Sequence, residues 1–128
     1  MLKTALSLAL AACLALALAT TAGAARQTTL TVSPKIASFG EKVTIKGTGW
    51  PRIEFCKPVV RLSLRSDQNR YRIGIAKVRR NGKFSFNWTP RSSKVGSGRW
   101  KLFAVQPCEN GSNGKPNPIE LHVRFRIR

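Results

Sequence analysis

Ile119-Glu-Leu-His-Val-Arg-Phe-Arg-Ile127, near the carboxyl end of the chain, alternates apolar and polar side chains without a break. Successive side chains of an extended strand point to opposite faces. Ile119, Leu121, Val123, Phe125 and Ile127 therefore share one face, and Glu120, His122, Arg124 and Arg126 share the other. A helix would scatter the same five apolar residues around its circumference. This run reads as a strand with one face in a core and a cationic face in water.

The same period recurs toward the amino end. Gly98 to Val105 sets Trp100, Leu102 and Ala104 on one face, and Lys83 to Thr89 does the same with Phe84, Phe86 and Trp88. Tyr71 to Val78 precedes it, joined through Arg80-Asn81-Gly82-Lys83, where Asn-Gly predicts a hairpin because both residues tolerate positive φ. Val59 to Arg65 buries Val60, Leu62 and Leu64 and turns Arg61, Ser63 and Arg65 outward. Lys42 to Gly47 and Thr28 to Ser33 complete the set. Seven short strands separated by Gly, Pro, Asn and Ser predict an all-β fold of two antiparallel sheets packed face to face.

Residues 1–25 have a different character. Lys3 precedes a Leu/Ala run that ends in Thr20-Thr21-Ala22-Gly23-Ala24-Ala25. That is the form of a secretory signal peptide, expected to be cut after Ala24 or Ala25. The apolar stretch is shorter than the roughly 20 residues a membrane span needs. Leu10-Ala11-Ala12-Cys13 offers a rival reading as a lipid-anchor site at Cys13, although the Leu/Ala run continues past it. The expectation is a secreted or extracytoplasmic domain spanning 26–128.

The whole chain holds 23 Lys and Arg against 5 Asp and Glu, and Lys3 leaves with the signal, so the mature charge is about +17. Such a surface attracts polyanions and favours a soluble monomer. The partner classes are envelope polysaccharide, phospholipid headgroups and, non-specifically, nucleic acid. Cys56 and Cys108 remain once Cys13 is removed, and two cysteines in an oxidising compartment most simply form one disulfide.

Thr29-Leu-Thr-Val-Ser-Pro34 followed by Gly40-Glu-Lys-Val-Thr-Ile-Lys-Gly-Thr-Gly-Trp50 resembles the opening two strands of bacterial immunoglobulin-like (Ig-like) domains. Gly82-Lys-Phe-Ser-Phe-Asn-Trp88 and Gly98-Arg-Trp-Lys-Leu-Phe-Ala104 are similar to their later strands. The resemblance implies a seven-stranded Ig-like β-sandwich. In that fold the loops after the second and sixth strands lie at one end. Cys56 and Cys108 fall in those loops, so a bridge there would tie the Trp50-Pro51 loop to the Gln106–Pro118 loop. A binding edge of Trp50, Arg52, Lys57 and Lys115 would then be pre-organised, and it could receive a protein partner.

The resemblance also implies that strands three, six and seven are neighbours. Their outward positions would gather Arg61, Arg65, Lys101, Arg124, Arg126 and Arg128, with Arg99 nearby, into a polyanion-binding face. Arg suits this work because its planar fork grips phosphate through two hydrogen bonds. Catalysis has no such support. Glu41, Glu54, Asp67, Glu109 and Glu120 are scattered singly, and His122 stands alone on an outward face. No pair is placed for acid and base work, and neither a metal-ligand set nor a phosphate loop is present. The expectation is a binding protein without a cofactor, with a structural or adaptor domain as the alternative.

Overall fold

Alternation in sequence becomes alternation in burial. Val60, Leu62 and Leu64 are buried while Arg61 between them is exposed. The same rule holds for Trp100, Leu102 and Ala104 against Arg99 and Lys101. The computed structural model describes residues 27–109 and 116–128. The proposed signal peptide, Cys13 and Lys115 lie outside the described residues.

The strands are β1 (Thr29–Ser33), β2 (Ile36–Ala37), β3 (Val43–Thr48), β4 (Val59–Arg65), β5 (Arg70–Lys77), β6 (Phe84–Trp88), β7 (Gly98–Gln106) and β8 (Ile119–Ile127). A three-stranded sheet in the order β1-β3-β6 faces a five-stranded sheet in the order β2-β8-β7-β4-β5. In strand order this partition is similar to the immunoglobulin-type arrangement, with three rather than four strands described in the smaller sheet and β5 added beside β4. Two details correct the sequence reading.

The described strands number eight rather than seven. Strand β2 is too short to carry a detectable period. It exists because Arg126 N–H donates to Lys35 C=O at 3.0 Å and Arg128 N–H to Ala37 C=O at 2.9 Å. Its pairing with β8 is parallel, so the larger sheet is mixed instead of wholly antiparallel.

The Asn81-Gly82 turn also does not make a hairpin. The turn forms: Arg79 N–H donates to Lys83 C=O at 2.8 Å, and Gly82 has φ 78°. However, β5 and β6 belong to opposite sheets, and β6 pairs with β3. Turn chemistry reverses the chain without choosing its partner. Here Trp50 N–H donates to Gly82 C=O at 3.0 Å, and the Trp50 ring meets Phe84 edge-on, which draws β6 to the smaller sheet.

Trp50, Ile45, Leu62, Leu64, Leu102 and Ile127 are fully buried between the sheets. Burial of each large side chain contributes roughly 1.5–3 kcal/mol. Gly47 is required under this packing, since a Cβ there would collide with the Phe84 ring and Trp50 Nε1. Three strands do not cover five, so Tyr71, Ile73, Leu121 and Val123 remain half-buried around the core.

Candidate functional site: the outer face of the five-stranded sheet

Strand register converts the outward residues into rows. Arg124 on β8 stands opposite Lys101 on β7, Lys101 opposite Arg65 on β4, and Arg65 opposite Arg70 on β5. With strands about 4.8 Å apart, four cations cross the sheet in about 14 Å. The next row is His122, Phe103, Ser63 and Arg72, and the one beyond it is Glu120, Val105, Arg61 and Ile75. Toward the other end, Arg126 pairs with Arg99.

Side-chain contacts organise the middle of this face. The Arg65 guanidinium lies over the Phe103 ring, 4.1 Å from its centroid. Its Nη1 reaches Glu120 Oε1 at 3.4 Å. The His122 ring lies 5.1 Å from that of Phe103, tilted by 30°. Arg65 is thus partly engaged within the protein, by a cation–π contact worth about 0.5–1 kcal/mol at such exposure. Arg99, Lys101, Arg124 and Arg126 are exposed and form no ion pair among the described residues.

An open groove of about 860 Å³ runs across this end of the sheet. Lys35 and Ile36 form one side, Ser66 and Asp67 the other, and Arg65, Lys101, Phe103, Arg124 and Arg126 lie between. Of the six residues expected to bind polyanions, the fold gathers Arg65, Lys101, Arg124 and Arg126 here, with Arg99. Arg61 shares the face but lies two rows nearer the disulfide, and Arg128 follows the end of β8; neither lines the groove. Lys35 was not legible as a member because β2, which carries it to the rim, leaves no periodic signal.

The chain matches no family model and no curated protein at a significant level. It is similar to a solved structure described as murine CRIg, at 12% identity and TM-score 0.42, over 80% of this chain and 99% of that one. So distant a likeness bears on neither ligand nor mechanism.

The opposite end of the sandwich holds the disulfide. Cys56 and Cys108 are bonded, with Cα atoms 4.0 Å apart. Around them Lys57 N–H donates to Pro107 C=O at 2.9 Å and Glu109 N–H to Phe55 C=O at 2.8 Å. Gln106 is the residue the sequence reading missed here. It is fully buried at the end of β7, and its Nε2 donates to Pro51 C=O at 2.7 Å and Lys57 C=O at 2.9 Å. Continuing the Trp100, Leu102, Ala104 alternation by one step would have found it.

Trp50 requires a correction. The proposed loop-end anchor is 1% exposed, and its Nε1 donates to Thr29 C=O at 2.9 Å. A ring this large, with its one donor satisfied by a neighbouring strand, belongs to the core. Arg52 and Lys57 are exposed as expected, while the apolar surface at this end comes from Ile53 and Phe55, 54% and 56% exposed. Among the described residues, no three His, Cys, Asp or Glu side chains gather in a metal-binding group.

Proposed function

We propose that this protein is a secreted, non-catalytic binding module that holds anionic polymers of the cell envelope on the outer face of its five-stranded sheet. One observation carries the reading: strand-borne cations are segregated. The five-stranded sheet carries nine Lys and Arg, and the three-stranded sheet carries only Lys46. A charge excess that served solubility alone would be spread over both surfaces. A concentrated positive field raises the local concentration of an anionic partner and its association rate.

Groove shape and residue type narrow the partner. The groove runs between Lys35–Ile36 and Ser66–Asp67, and its row of Arg124, Lys101 and Arg65 on adjacent strands suits the repeated charges of a linear chain. Four of the six cations in the groove are Arg, which favours phosphate or sulfate oxygens over diffuse attraction. The test is binding of the oxidised protein to several polyanions and anionic vesicles across a salt titration. Log affinity is expected to fall linearly with log salt, most steeply for one linear polymer. No binding near physiological salt would overturn the reading.

A second reading keeps one observation of its own. Ile53 and Phe55 project from a loop that the disulfide and Gln106 hold in place, which suits an adaptor surface for a protein partner. Aromatic anchors on a rigid loop are common centres of protein interfaces. A partner lost on Phe55→Ala, but retained on Arg124→Glu, would favour it.

A further inference from the structure

Beyond the edge of the groove lies a separate cleft of about 390 Å³, between the β4–β5 turn and the loop from β6 to β7. Arg70, Lys94 and Arg99 line it from three different segments, together with Ser66, Asn69 and Ser97. No acidic residue lines it. We propose that this cleft is a terminal-group subsite: it takes the anionic end of a linear phosphorylated chain whose following units lie in the groove. The proposal rests on the polyanion reading and adds to it a direction and an end specificity.

Three features support the assignment. The cleft and groove share Ser66, Arg99 and Trp100, so a chain can pass from one to the other without leaving the surface. Both walls are held by their own bonds. Ser66 N–H donates to Asn69 C=O at 2.8 Å, and Asn69 N–H to Ser66 Oγ at 3.1 Å. On the other wall, Lys94 and Val95 N–H both donate to Arg91 C=O, Val95 is buried, and Trp100 Nε1 donates to Gly96 C=O at 3.0 Å. A pre-set wall reduces the ordering cost of binding. Finally, three cations from three segments fit a terminal phosphate, which has more charge and more free oxygens than an internal phosphodiester.

The probes are linear tripolyphosphate, which has two terminal groups, and cyclic trimetaphosphate, which has none. Calorimetry with the oxidised protein at low salt is expected to show tighter binding of the linear compound. Lys94→Ala, at an exposed loop position, should weaken tripolyphosphate about tenfold and leave trimetaphosphate nearly unchanged. Arg126→Ala should weaken both in equal proportion. If Lys94→Ala acts no differently from Lys46→Ala on the far sheet, the subsite is wrong while the groove reading stands. If neither compound binds and longer polyanions also fail, both are overturned.

Discussion

The two outer faces of this sandwich are built from the same kind of strand and made of different chemistry. On the three-stranded sheet, outward rows read Thr31, Lys46, Ser85 and then Ser33, Thr44, Asn87. Hydroxyls and amides there satisfy one another, as when Thr44 Oγ1 donates to Asn87 Oδ1 at 3.1 Å. On the five-stranded sheet, the row through Arg124, Lys101, Arg65 and Arg70 sets cations on adjacent strands, where like charges opposite one another are unfavourable. Stability alone selects the first surface. The second carries a repulsion that a bound polyanion would relieve, and this difference is the physical case for a ligand.

The comparison can be broken or sharpened in steps of decreasing size. Replacing Cys56 and Cys108 together by Ser opens a link across 52 residues and should lower stability by about 2–5 kcal/mol. The loss should strike the whole sandwich, so polymer affinity measured well below the unfolding temperature should hardly change. If affinity collapses in the folded variant, the site lies at the disulfide end. Arg124→Glu with Arg126→Glu should lower affinity for the preferred polymer about a hundredfold or more, against less than about twofold for Lys46→Glu. Equal effects from the two faces would mean that only net charge matters.

Single changes give finer readings. Arg99→Ala or Arg124→Ala should each reduce the slope of log affinity against log salt by about one unit, while Lys46→Ala leaves it unchanged. Phe103→Ala removes the ring beneath Arg65 and should weaken binding about threefold at constant slope. Glu120→Gln removes the acid paired with Arg65 and should strengthen binding about twofold. Its effect on stability should stay below about 0.5 kcal/mol, because both partners are substantially exposed.

Much of the cationic face was legible before any fold was known. The period-two rule assigned Arg61, Arg65, Lys101, Arg124 and Arg126 to outward positions, and each lies on the outer face. The disulfide was legible from counting cysteines and from the loops that hold them. Less legible were Lys35 and Lys94, which come from the bend before a two-residue strand and from a loop. Trp50 was misread for a related reason: next to Pro51 after a Gly-rich stretch it looked like loop, yet its ring turns back over Gly47 into the core.

By itself, then, the chain determined which side of each strand meets water, because that depends only on the alternation of neighbouring side chains. It also determined the charge, a matter of composition, and it pointed to the disulfide partners once Cys13 was set aside with the expected signal peptide. The resemblance had implied that β4, β7 and β8 are neighbours, as they are; the tertiary structure decided the pairings of β2, β5 and β6. The Asn81-Gly82 turn could have joined β5 to β6 as a hairpin, but the Trp50–Phe84 contact and pairing with β3 took β6 to the other sheet. Groove and cleft belong to that second category as well. Each draws cations from segments far apart in the chain, and only backbone pairing and core packing bring such segments within reach of one ligand.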